Sequence, residues 1–308
     1  MAPVKVALLG LGLIGGSIAR ALRADAASWT LAAWSPAGEG PRAALAAGVV
    51  DAAPATAQEA IDGAAIVVFA APPTACLALL DELGGSSRPA LAPGAVVTDV
   101  ASSKAAIVAR AGALGLPFVG GHPMAGRERS GFGAADPELF RGRPWVIVPG
   151  AAATADMTAR VELLARACGA VPVRMDAAAH DAAVAGVSHL PLLVAAALVE
   201  AVAGGPGEPD APGWAEAAAL AAGGWQSATR LALGDPTMGA GIAVTNAGPI
   251  AVRLRELRAG LDAWLALLEA AEQGAPPDEP AGQGVAAAEA AIRARLAAAR
   301  ERLRAAAG

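Results

Sequence analysis

Residues 4–17 read VKVALLGLGLIGGS, and this stretch decides the fold. Val4–Leu9 is a short apolar run of strand character, and the chain then turns through Gly10-Leu11-Gly12-Leu13-Ile14-Gly15 into a predicted helix with Ser17 on its first turn. A G-x-G-x-x-G between a strand and a helix is a dinucleotide cradle. The first glycine permits the tight turn, the second lets backbone approach a pyrophosphate, and the third lets the helix pack on the strand. The helix start offers unpaired N–H groups and a partial positive charge to the phosphates. Residues Gly10, Leu11, Gly12, Leu13, Ile14 and Gly15 are therefore the candidate cofactor-binding loop.

Working outward, a second strand is predicted at Trp29–Trp34. The residue that reads the ribose belongs about 20 residues past the third glycine, at the end of this strand. Ser35 stands there, without an Asp or Glu; Glu39 is the nearest acid, and Arg42 is close enough in sequence to meet a 2′-phosphate. NAD and NADP both remain open. Further strand runs at 64–70, 94–100, 116–119 and 145–148 alternate with helical segments, which predicts a parallel sheet covered on both faces. After Pro149 helical segments at 153–167, 178–203, 213–233, 247–272 and 285–307 dominate, with 171–173 the one strand-like exception. The expected architecture is α/β: a doubly wound dinucleotide-binding domain over 1–150, then an all-helical substrate and dimerisation domain over 151–308. Pro/Gly-rich loops at 204–213 and 274–284 punctuate the second half.

Composition narrows the function. The 308 residues are 55% hydrophobic and 17% charged, with a net charge of −5, so a large core is available and the basic face of a nucleic-acid binder is not. Mean hydropathy is +0.48, raised by alanine. The strongest apolar stretch, 190–199, is about half of the ~20 residues a bilayer span needs. The N-terminus lacks the pattern of a signal peptide. Two cysteines, Cys76 and Cys168, make no disulfide framework and have no metal-type neighbours. A cytoplasmic protein without membrane or nucleic-acid partners is expected. The arginines of 285–307 read as a solvated helix face.

Three histidines, His122, His180 and His189, are the side chains able to carry a proton near neutral pH. His122, in GGHPMAG (120–126), follows the apolar run 116–119, at the carboxyl end of a strand where open α/β sheets bind ligands. His189 opens a helical run in SHLP (188–191).

Taken together, GLGLIGGS (10–17), DVASSK (99–104), GGHPMAGRERSG (120–131), LFRGRPWVIVP (139–149), HDAAVAGVSHLP (180–191), Ala228-Thr229-Arg230 and Asp235-Pro236 resemble the prephenate/arogenate dehydrogenase family of tyrosine biosynthesis. The resemblance runs from residue 4 to about residue 250. It implies oxidative decarboxylation of prephenate or arogenate with NAD or NADP. It makes His122 the general base and Ser102 the hydroxyl that orients it, with Ser103 the rival. It assigns Arg230 to a substrate carboxylate, for which a guanidinium fork is suited. It places His189 near the substrate, and Glu128 beside Arg230 or as a gate. His180-Asp181 reads as scaffold, no metal is implied, and a homodimer through the helical domain is expected. The family's pattern is broken at Leu192, Gly239 and Gly241, in the substrate half, which bears on the choice between the two substrates. A dinucleotide-binding homologue without turnover is the competing class. Oxidoreductases of similar build that act on β-hydroxy acids or imines commonly use a lysine in the helical domain, whereas this chain has only Lys5 and Lys104.

Overall fold

In the computed structural model, which describes residues 3–85, 91–127, 129–273 and 283–307, Val4–Leu9 is the first strand, β1, and the glycine turn leads into α1 (Leu13–Ala24). There follow β2 (Trp29–Trp34), α2 (Glu39–Ala46), α3 (Ala57–Ile61), β3 (Ile66–Phe69), α4 (Pro73–Gly84), β4 (Val96–Asp99), α5 (Ala105–Ala113) and β5 (Val119–Pro123). Then come a 3-10 turn (Phe132–Ala134), β6 (Pro144–Pro149), α6 (Ala155–Ala167) and β7 (Val171–Arg174). The remaining described elements are helical: α7 (Ala177–Val184), a single π turn (Ala185–His189), α8 (Leu190–Ala203), α9 (Trp214–Ala219), α10 (Gly223–Thr229), a 3-10 turn (Arg230–Leu233), α11 (Pro236–Thr245), α12 (Ala247–Gln273) and α13 (Gln283–Ala307).

The strands run β2-β1-β3-β4, all parallel, and a bridge between Val97 and Phe118 leads on to β5-β6-β7. Successive side chains of a strand point to opposite faces, and β1 shows the result. Val6 and Leu8 join one buried cluster with Ile18, Leu22, Trp145 and Val161, while Ala7 and Leu9 join another with Cys76, Leu80, Ile107 and Phe118. Each large apolar side chain buried this way contributes about 1.5–3 kcal/mol.

Three sequence readings shift. The strand placed at 116–119 is observed at Val119–Pro123, so His122 lies within β5 rather than after it. Gly121 is admitted to this strand because it runs close to β4: a side chain there would stand 2.6 Å from the Asp99 carbonyl oxygen and 2.9 Å from Trp145 Nε1, while one at Gly120 would press on Lys104 and Val108. The β5–β6 pair is antiparallel within the otherwise parallel set. The helical run 213–233 is broken, with α10 restarting at Gly223-Gly224, where glycine raises the entropic cost of a continuous helix.

Residues Met1–Ile250 form one compact unit and Ala251–Gly308 a second. In the second, Arg295 Nη2 donates to the Gly260 carbonyl at 2.9 Å and its guanidinium lies 4.5 Å from the Trp264 ring centre. One helical run, Ala177–Ala203, has 27 residues and within it an 18-residue stretch of mean hydropathy 2.0, long and apolar enough to cross a bilayer by length and composition, and longer than the 190–199 stretch read from sequence. It also carries His180, Asp181 and His189, all buried.

Candidate active site

The glycine loop has the shape its motif predicts. Gly10 sits at φ +103°, where a side chain would also collide with the Ala70 carbonyl oxygen at 2.1 Å. A side chain on Gly15 would meet the Gly10 carbonyl oxygen at 2.1 Å, so α1 seats directly on the turn. Gly12 differs: a Cβ there would meet nothing within 4 Å. Its bare face opens beside the start of α1, which has no side-chain cap and no acid in its first turn. Unpaired N–H groups at a helix start and an open glycine face fit a pyrophosphate. At the end of β2, Ser35 is half-buried and its carbonyl accepts from Gly38 N at 3.0 Å. Arg42 is exposed, and its Nη2 donates to the Ala37 carbonyl at 3.3 Å.

A buried polar chain begins where β4 ends. Asp99 Oδ1 accepts from Gly121 N at 3.1 Å, and Oδ2 accepts from Ala101 N at 3.0 Å and from the Lys104 ammonium. This ion pair is fully buried. Beside it, His122 Nδ1 lies 2.8 Å from His180 Nε2, the rings meeting edge to face at 76°. His180 Nδ1 lies 2.8 Å from Asp181 Oδ1. Asp181 caps the start of α5, accepting from Lys104 N at 2.7 Å and Ala105 N at 2.8 Å. Those bonds and His180 outweigh burial and hold its carboxyl below the usual carboxylate range. Burial, reinforced by His180, Lys104 and His189, pushes His122 well below the usual imidazole value. His122 is 7% exposed, and its Nε2 is not among the sealed polar atoms without partners.

His189 closes the π turn. Asn246 Nδ2 donates to its Nδ1 at 3.0 Å and to the Asp181 carbonyl at 2.9 Å. With Nδ1 accepting, the ring proton sits on Nε2, a buried atom that finds no partner among the described residues. Burial lowers this histidine to about 4, Asp181 opposing and His180 adding to the effect, so it is a neutral hydrogen-bond donor near pH 7. An orphaned buried N–H is a place for a ligand acceptor.

The serine rivals separate. Ser103 is fully buried, its Oγ 2.7 Å from Thr245 Oγ1, which in turn donates to the Gly241 carbonyl at 2.6 Å. Ser102 is half-buried, with no side-chain hydrogen bond among the described residues. Its backbone is close enough to His189 to oppose the fall in that ring's basicity. His122, His180, Asp181, His189 and Asn246 thus form one bonded cluster. Arg230 stands exposed at the head of the 3-10 turn packed on α8. Glu128 lies outside the described residues. A cavity of about 370 Å³ lined by Val202, Trp214, Leu220 and Trp225 takes in none of these groups. Asp99, Lys104, Thr245 and Asn246 were not singled out for the site from sequence. Their signal is the buried charge of DVASSK, and Asn246 ten residues past Pro236 on a helix end.

Comparison with known proteins places the chain. Residues 18–174 match the family profile described as prephenate dehydrogenase, nucleotide-binding domain, and residues 176–275 match prephenate dehydrogenase, dimerization domain. The chain is 32% identical to the prephenate dehydrogenase of Bacillus subtilis (strain 168) over 255 residues, 82% of this chain and 66% of that protein. Among solved structures, the arogenate dehydrogenase of Synechocystis is 33% identical with a TM-score of 0.69, covering 86% of this chain and 92% of that one. The Aquifex aeolicus prephenate dehydrogenase, solved in complex with hydroxyphenyl propionate and NAD+, shares the fold at 24% identity with a TM-score of 0.75 over 96% of this chain and 98% of that one.

Proposed function

The chain belongs to the prephenate dehydrogenase family, and from that premise we propose that it is an NAD- or NADP-dependent dehydrogenase working in the cytoplasm. It oxidises and decarboxylates prephenate to 4-hydroxyphenylpyruvate, with arogenate, giving tyrosine, as the alternative substrate. The observation that carries this reading is His122: a neutral imidazole with an accessible edge at the carboxyl side of the sheet, on the same fold as an open glycine cradle.

When bound, the dinucleotide supplies the hydride acceptor. Gly12 and the uncapped start of α1 hold its phosphates, with Leu11, Leu13 and Ile14 completing the loop. Ser35, just past β2, favours neither cofactor, Arg42 on α2 suits NADP, Glu39 on the first turn of α2 suits the ribose diol of NAD, and the proposal admits both. His122 takes the proton of the C4 hydroxyl as the C4 hydrogen leaves with its electron pair. As the ring carboxylate departs as CO2 and the ring becomes aromatic, His122 returns the proton to the phenolic oxygen. Ser102, which makes no side-chain hydrogen bond among the described residues, orients that hydroxyl. His189 donates from Nε2 without ever competing as the base. Arg230 binds a substrate carboxylate, with Glu128 assigned to the same pocket. In this reading the first 150 residues hold the dinucleotide and the rest supply the substrate site and a homodimer contact, with α6 and β7 completing the nucleotide-binding layer. The exposed Leu261, Leu265 and Leu268 of α12 support such a contact.

The test is an assay of prephenate and arogenate, each with NAD and NADP, read by the absorbance of reduced nicotinamide. Turnover with one pair is expected; silence with all four removes the reading. Arg230→Ala is expected to raise the substrate KM about 10–100-fold, the worth of a hydrogen bond to a charged group, without moving the cofactor KM.

A further inference from the structure

We propose that Asp181 and His180 are positioning residues that keep the His122 proton on Nδ1, leave its Nε2 lone pair bare for the substrate, and take up the charge when Nε2 is protonated. The proposal deepens the dehydrogenase reading and rests on it only for the identity of the proton donor.

The argument starts from two backbone amides. Lys104 N and Ala105 N can only donate, so both oxygens of Asp181 are acceptors. The atom 2.8 Å from Oδ1, His180 Nδ1, must then carry a hydrogen. A neutral His180 with its proton on Nδ1 has a bare Nε2. That bare atom lies 2.8 Å from His122 Nδ1, which must supply the proton between them. His122 Nε2 is left unprotonated, on the edge that is not sealed. The order of protons is thus fixed from the start of α5 outward, as a buried carboxylate fixes an imidazole tautomer in hydrolytic triads.

The same chain answers a need of the chemistry. The groups facing His122 are the Lys104 ammonium from the β4–α5 loop, His180 from α7 and His189 from the π turn, while Asp99 at the end of β4 is bonded to the neighbouring Gly121 N. Asp99 is committed to Lys104 and two amides. Alone, a buried ring beside an ammonium and two imidazoles is a poor proton acceptor. Asp181 is the remaining carboxylate that reaches it, through His180. When Nε2 takes the hydroxyl proton, the Nδ1 proton passes to His180 Nε2, and the resulting imidazolium lies against the Asp181 carboxylate. One proton enters, one moves along, and no electrons change hands.

With only three histidines, the rings can be resolved by 15N-histidine labelling and assigned with single variants. Two-bond 1H–15N spectra of the wild-type protein at neutral pH are expected to show His122 and His180 both as Nδ1–H tautomers; a neutral His122 carrying its proton on Nε2 overturns the proposal. Asp181→Asn is expected to lower kcat about 10²-fold, to move the acid limb of the kcat profile to lower pH, and to leave the cofactor KM within a few-fold. His180→Gln, which can accept from His122 but cannot relay a proton, gives the same loss without touching the amide contacts of α5. Unchanged kcat and an unmoved acid limb in folded His180→Gln protein overturn the relay. Because the tautomers are read without substrate, two Nδ1–H rings in a protein silent toward both substrates would support the relay while retiring the proposed reaction.

Discussion

In the proposed dinucleotide cradle backbone groups are to hold the phosphates, and that loop lies wholly within residues 10–17. In the proton chain side chains carry the function, drawn from β4, β5, α7, the π turn and the end of α11, with His122 and His180 separated by 58 positions. The cradle depends on what is missing, a Cβ at three glycines. The chain depends on each polar atom having one assigned partner. A backbone site tolerates changes in the side chains around it and is harmed by one added methyl. A side-chain relay fails by losing any single member, because each buried neighbour is then left unpaired.

The largest effect should fall on the chain. His122→Asn is expected to lower kcat about 10²–10⁴-fold, the usual loss of a general base, with little change in cofactor affinity by titration. Turnover within a few-fold of wild type would move the base elsewhere and break the contrast. Lys104→Met removes a fully buried ammonium and leaves the Asp99 carboxylate buried without its counter-charge. Loss of one partner of a buried pair costs about 3–5 kcal/mol, and denaturant midpoints should fall accordingly; a smaller drop would mean that the two amides on Asp99 suffice.

Within the cradle the glycines should divide. Gly10→Ala meets both a left-handed backbone and the Ala70 carbonyl, and is expected to cost about 1–3 kcal/mol of stability. Gly12→Ala faces open space at φ −85° and should leave stability within about 0.5 kcal/mol while weakening dinucleotide binding. Equal effects would erase the distinction between the glycine that shapes the turn and the one that admits the ligand.

The last effect is on acid stability. An unfolded histidine takes up a proton near pH 6.5, whereas folded His189 does so only near 4. Between those values the unfolded chain binds more protons, so stability falls as pH drops through this window. His189→Asn should flatten that slope in urea titrations across the range, and an identical slope would assign it to other groups.

This contrast also explains what the sequence reveals. The cradle was legible because its information is contiguous, and β1, β2 and the sheet with helices on both faces follow from the same local periodicity. The position of His122 at the sheet's carboxyl edge was legible to within a few residues, although Gly120 and Gly121 concealed that it lies inside a strand. Whether Ser102 or Ser103 is available was not legible, since the answer lies in a hydroxyl of Thr245. The pairing of His180-Asp181 with His122 was equally hidden, because a buried carboxylate and a scaffold carboxylate look alike until the start of α5 is set against them. Asn246 fits the family's pattern after Asp235-Pro236, but its link between Asp181 and His189 is visible only in the fold.

His189 lies nine positions after His180. At about 100° per residue, an unbroken α-helix would send the two rings to opposite sides of the rod. The π turn at Ala185–His189 spends one more residue on its loop, which holds the winding back by roughly that angle and swings both imidazoles toward one side. The spacing of the two histidines and the wide turn are therefore a matched pair. Straightening the turn at the present spacing would set the second imidazole, and all of α8 behind it, on the far side of the rod, whereas deleting one residue along with the turn would keep the phase.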